Sequence, residues 1–179
     1  METMTTSIIL PFLVFFPFLG AVISYIIGRS NKGARDIWCW ILSAVIFIAS
    51  LTLIGKETVY SLRGFCGLGL SFAADGFGVI LAVLTGAIWL ITTIFSKEYM
   101  AAERNRNRYY FFVFLTLGAT MGIFLSADLF TTFIFFEIMS FTSFVLVMHD
   151  EEDFTVRSAK TYLAVAVIGG LVTFLGLFI

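Results

Sequence analysis

Charge is scarce in this chain: Asp, Glu, Lys and Arg make up 13% of 179 residues, too few to cover the outside of a soluble domain of that size. A formal net charge of -1 and the lack of a basic patch interleaved with aromatics give no support to nucleic acid or an anionic substrate as partner. The single histidine and the two cysteines, Cys39 and Cys66, form no CxxC pair and no histidine cluster, so no disulfide, metal site or cofactor is implied. No Lys or Arg precedes the first apolar run and no small-residue cleavage site follows it. A retained membrane helix is therefore expected there rather than a removable secretory signal.

What is abundant is apolar surface. The chain is 60% hydrophobic and 17% aromatic, with a mean hydropathy of +1.01. Its solvent is lipid, and the expected fold is an all-α polytopic membrane protein of about six transmembrane helices in a single membrane domain, 1–179. The spans are expected near 7–28, 37–54, 75–95, 109–125, 128–148 and 159–179. The first contains Pro11 and Pro17, which membrane helices tolerate. Trp38 and Trp40 open the second and Tyr109 and Tyr110 the fourth, where amphipathic rings favour the interface.

Between the second and third spans, 55–74 is glycine-rich and the least hydrophobic stretch. Its GLGLSF lacks the Lys-Ser/Thr ending of a phosphate loop. Asp75 before Gly76 reads as a helix N-cap, a place in an ion path being the other reading. Gly118 and Gly122 in the fourth span, extended by Ser126, form a GxxxG face for close helix packing.

Alternate loops divide the cations unevenly. Arg29, Lys32, Arg35, Lys97, Arg104, Arg106, Arg108, Arg157 and Lys160 fall on one side, Lys56 and Arg63 on the other, nine against two of the 11 Lys plus Arg. By the positive-inside rule the nine face the cytoplasm, and the amino terminus lies outside.

One carboxylate breaks the pattern. Glu137 lies inside an uncharged apolar helix, nine residues after Asp128, about 14 Å along the axis and close to the middle of a hydrocarbon core about 30 Å thick. Its neighbours at three and four residues are Phe133, Ile134, Ser140 and Phe141. A carboxylate surrounded by hydrocarbon holds its proton tightly and loses it when a cation approaches, which is the physics of a proton relay. A structural interhelical hydrogen bond is the rival reading. Thr131, Thr132, Ser140, Thr142 and Ser143 on the same helix either hold water, bond across helices or bond back to carbonyls.

Two further ionisable residues are candidates for proton translocation. Lys160 stands at the start of the sixth span, where a lysine also simply snorkels to the headgroups. His149 ends the fifth span beside the acidic run 150–153, fit for proton uptake or for a solvated helix end.

Asp128, the apolar run to Glu137-Ile-Met-Ser140, and Ala159-Lys160-Thr-Tyr162-Leu163 resemble the antiporter-like subunits shared by respiratory complex I, Mrp-type cation/proton antiporters and energy-converting hydrogenases. Leu70 to Gly78 and Arg108-Tyr-Tyr-Phe-Phe resemble the same family's third and fourth helices. The resemblance implies a subunit of about fourteen helices with two inverted five-helix repeats, of which this chain holds the amino-terminal part. It implies that Glu137 modulates a lysine on a broken seventh helix, beyond Ile179. Lys160 matches a basic position at the start of the sixth helix in some members. Where others carry an acid in that helix, this chain reads Ile168-Gly169-Gly170-Leu171.

The resemblance further implies other membrane subunits as partners, among them a chain supplying the later helices, in a redox-driven pump (hydrogenase or NADH dehydrogenase type) or an Mrp-type antiporter of the cell membrane. Redox chemistry would belong to those other subunits, since no catalytic site is legible in this chain. Two rivals stay open: a non-transporting scaffold packing through the Gly118/Gly122 face, and a small homo-oligomeric transporter.

Overall fold

The computed structural model describes residues 5–62, 69–101, 103, 105–149 and 152–177. Glu2, Arg63, Gly64, Cys66, Gly67, Arg104, Asp150, Glu151 and Ile179 lie outside the described residues. With them lie the expectations for the Cys66 thiol, for part of the acidic run and for two of the topology cations.

Among the described residues six helices carry the fold: α1 (Ile9–Ser30), α2 (Lys32–Leu51), α3 (Gly76–Tyr99), α4 (Arg106–Phe124), α5 (Leu129–Val147) and α6 (Asp153–Leu177). All except α4 are long and apolar enough to cross a membrane. α4 falls short in hydropathy because Arg106, Asn107 and Arg108 open it and Thr116 and Thr120 interrupt it. Its position explains why it needs no apolar exterior. It packs against α1, α3 and α5 at once, and both threonines are buried.

Helix ends follow local chemistry. α2 starts five residues earlier than its apolar run, because the Asn31 side chain accepts from the Ala34 amide at 3.1 Å and caps the extra turn. Asp75 caps α3 by accepting from Gly78 N at 2.7 Å, and Asp128 caps α5 by accepting from Thr131 N at 2.7 Å. α6 likewise begins ahead of its apolar run, taking in Asp153 in its first turn, where an acid suits the helix dipole.

A small sheet, not expected from the sequence, closes one end of the bundle. β1 (Thr5–Thr6) pairs in parallel with β2 (Thr58–Leu62), and β2 pairs antiparallel with β3 (Leu70–Ala74), Tyr60 opposite Phe72. In β3 alternate residues Leu70, Phe72 and Ala74 are buried, the period-two pattern of a strand with one face on a core. The α4–α5 turn is tied to this sheet by Ala73 N to Leu125 O and Ala127 N to Ser71 O, both 2.8 Å.

The connections α1–α2, α3–α4 and α5–α6 meet at the opposite end. Arg106 Nη2 donates to Asp36 Oδ2 at 2.9 Å and to Lys97 O at 3.0 Å, and Arg108 Nη2 donates to His149 O at 2.9 Å. The loops holding the larger share of the cations thus share one end.

Two residues there sit deeper than expected. Arg35 is fully buried in α2 instead of lying in a basic loop, and Tyr110 is 1% exposed instead of anchoring an interface. The arginine is buried because it is paired. Its Nε and Nη2 donate to Asp36 Oδ1 at 3.1 and 2.8 Å, Nη1 donates to Asn107 Oδ1, and its guanidinium lies 4.8 Å from the Tyr110 ring centre.

Indole donors lock the remaining helices. Trp38 Nε1 donates to Gly20 O, Trp40 Nε1 to Thr93 O and Trp89 Nε1 to Val113 O, at 3.1 to 3.2 Å. In lipid an indole N–H needs such a partner.

Candidate intramembrane carboxylate site

α5 is nineteen residues long and Glu137 stands at its centre. Apolar and aromatic residues flank it on both sides, so the carboxylate stands midway along a helix long and apolar enough to cross a membrane. The side chain turns toward α6. A Cβ built on Gly170 would stand 2.7 Å from the Glu137 Cδ and 2.9 Å from Oε2. Only a residue without a side chain admits the carboxylate this closely.

Gly170 and Ala159 are the buried residues of α6. One helical turn along the same seam, the Phe133 and Phe174 rings meet with centroids 5.5 Å apart. Phe133/Glu137 on α5 and Gly170/Phe174 on α6 therefore form two matched layers at i, i+4 spacing.

Glu137 Oε1 is buried and has no hydrogen-bond partner among the described residues. Unpaired buried polar atoms are costly, so in hydrocarbon this oxygen calls for a partner from elsewhere.

The other candidates are not brought to it. Lys160 is exposed near the start of α6, ten residues before Gly170, about 15 Å along the axis. His149 lies beyond the end of α5, half-buried, its ring edge-on to Tyr109 at 5.8 Å. The hydroxyls of α5 mostly bond locally. Thr131 donates to Asp128 Oδ2, Thr132 to Asp128 O and Ser140 to Phe136 O, at 2.8 to 2.9 Å. Among the described residues one contact of these hydroxyls crosses helices, from Thr116 Oγ1 on α4 to Thr142 Oγ1 at 3.0 Å.

The two glycines of α4 are filled from within the chain. A Cβ on Gly118 would lie 2.6 Å from the Phe18 ring and 2.9 Å from Val14 O of α1, and one on Gly122 would lie 2.8 Å from Phe135 Cδ2 of α5. The feature that sequence reasoning misses is Gly170. Its signal is the Gly169-Gly170 pair, but nothing local ties it to Glu137.

No family model matches the chain. Na(+)/H(+) antiporter subunit A1 of Staphylococcus aureus is 30% identical over 168 residues, covering 88% of this chain and 21% of that relative. The same protein from strain JH9 is 29% identical over 167 residues, with the same coverage of both chains. The chain thus spans about a fifth of the length of these curated relatives.

Among solved structures, a chain of the archaeal membrane-bound sulfane sulfur reductase, a respiratory membrane complex, superposes with a TM-score of 0.82 at 15% identity. That match covers 92% of this chain and 35% of the other. A chain of the Mrp complex from Dietzia sp. DQ12-45-1b gives a TM-score of 0.69 at 22% identity, covering 92% and 18%. These two likenesses establish a shared fold. This chain is therefore a multi-pass membrane protein with the fold of antiporter-like membrane subunits, homologous to the staphylococcal Na(+)/H(+) antiporter protein over a stretch about a fifth of that relative's length.

Proposed function

We propose that this chain forms part of an antiporter-like subunit taking part in proton or cation/proton translocation, with Glu137 as an intramembrane relay carboxylate. The observation that carries the reading is the Glu137 carboxylate itself: central in α5, fitted against Gly170, with Oε1 buried and unpartnered among the described residues. A relay acid needs these properties, a low-dielectric setting and a free coordination position that a proton or an approaching cation can fill.

The chain works beside further helices, supplied by other membrane subunits or by another stretch of the same polypeptide. What supports this is the exposure of α6, which leaves Val165, Ile168, Val172 and Leu175 uncovered, and the greater length of the relatives. The cationic end faces the cytoplasm and the sheet end faces out, on the loop charge imbalance. The complex sits in the cell membrane.

Substituting Glu137→Gln in the assembled complex tests the relay against a scaffold role. A scaffold keeps its ion flux after that change, and a relay does not. The scaffold reading also has less surface to draw on, because Phe18 and Phe135 already occupy the Gly118/Gly122 face.

A further inference from the structure

Among the described glycines of α6, Gly169 and Gly176 face open space, where an added Cβ would meet nothing within 4 Å. Gly170 differs. The three heavy atoms nearest to a Cβ built there are Oε1, Cδ and Oε2 of Glu137, the whole carboxyl group and no backbone atom. Glycines at close helix crossings meet backbone instead, the Phe47 Cα at Gly86 and the Val14 carbonyl at Gly118. A glycine inside a helix forgoes the helix preference that alanine would bring. At position 170 the carboxylate takes the room that an alanine side chain would need.

We propose that Gly170 is a positioning residue for Glu137: its missing side chain leaves the notch that keeps the carboxylate in the α5–α6 seam, aimed for ion transfer. The proposal rests on the relay reading of Glu137 and adds the element that aims it. Oε1 is buried on a residue that is itself only half-buried, so the tip of the side chain is turned inward. No hydrogen bond among the described residues fixes Oε1 there, which leaves shape to set its direction.

The notch is bounded along the seam. One helical turn away the Phe133 and Phe174 rings meet at 5.5 Å, which limits sliding of α6 past α5. Gly170 and Ala159 are the buried residues of α6 among those described, so the carboxylate sits at one of the few places where this helix meets the bundle. Transfer is sensitive to such placement, a shift of about 1 Å costing about a hundredfold in rate.

Proton-coupled flux per assembled complex in sealed vesicles tests it, with Gly170→Ala, Glu137→Asp, the two together, and Gly169→Ala as control. The methyl at 170 displaces the glutamate carboxylate and is expected to cut flux about a hundredfold. Aspartate is one methylene shorter and leaves the notch unfilled, so it is slow on its own. In that background the same methyl restores the fit, and the double variant is expected to run roughly tenfold faster than Glu137→Asp alone, part of that hundredfold recovered. The effect of the methyl thus changes sign with the length of the acid, which altered helix packing alone does not produce. If Gly170→Ala does not assemble, the comparison of Glu137→Asp with the double variant decides. A methyl that leaves flux unchanged beside glutamate, or fails to raise it beside aspartate, overturns the proposal. So does a Gly169→Ala loss equal to that of Gly170→Ala, which marks a helix intolerant of any added side chain. Glu137→Gln separates the two readings. Flux lost in Glu137→Gln but untouched by Gly170→Ala removes the positioning and leaves the relay, whereas native flux in Glu137→Gln removes both.

Discussion

The carboxylate of Glu137 on α5 rests against the Cα of Gly170 on α6, so close that a methyl group there would stand 2.7 Å from the carboxyl carbon. An acid midway along α5 and a glycine on the neighbouring helix are thus one structural unit. What one residue is permitted to be fixes what the other does.

The first prediction tests that unit. Gly170→Ala is expected to push the carboxylate off its seat or open the α5–α6 seam, at a cost of about 1–3 kcal/mol, the usual range for overpacking. Thermal unfolding in detergent checks it, together with the double variant Gly170→Ala, Glu137→Ala. If the carboxylate is what the methyl strikes, the double variant loses less stability than the two single changes summed; simple additivity would contradict the contact.

At the cationic end, Arg35→Met leaves Asp36 buried with only Arg106 to answer it. Breaking one partner of a buried pair costs about 3–5 kcal/mol. Arg35→Met with Asp36→Leu should recover much of that loss. A single variant as stable as the native chain would show that the Arg35 contacts to Asn107 and Tyr110 are not needed to hold α2 against α4.

Gly122 makes a third case. Gly122→Val drives two methyl groups into the Phe135 ring, which is 2% exposed and has nowhere to move. Loss of the folded bundle, read as aggregation on size-exclusion chromatography, is expected, and Gly122→Val with Phe135→Ala should restore part of the yield. Gly169→Val, at a glycine with open space around it, serves as the control.

Much of this is legible in the chain itself, and the reason is physical. Apolar runs of about twenty residues have one stable use in lipid, so the six helices can be read directly. Asp75 announces itself as a cap because the residues behind it begin an apolar helix. Glu137 stands out because a charge in such a run has no solvation to explain it.

What stays hidden depends on contacts between distant segments. Buried and lipid-facing apolar residues look alike in composition, so nothing local shows that α4 is enclosed or that Tyr110 and Arg35 lie inside. The β3 alternation spans only five residues and runs straight into a helix. The pairing of Gly170 with Glu137 crosses two helices. It is set by how α6 rotates against α5, which neither sequence pattern records.

Orientation gives a fourth prediction. In a Cys66→Ala background, Lys56→Cys is expected to react with a membrane-impermeant maleimide on intact cells, and Lys32→Cys only after permeabilisation. The reverse pattern would invert the proposed topology while leaving the bundle as described.

The most direct test is ion flux through the assembled complex in sealed vesicles, native against Glu137→Gln. Gln keeps the shape and a hydrogen-bonding amide but cannot take up or release a proton, so assembly should be unchanged. Proton-coupled flux is expected to fall about a hundredfold if transfer through this group limits the rate, the lower end of what a positioned proton-transfer side chain contributes. Native flux from a fully assembled Glu137→Gln complex would contradict the relay.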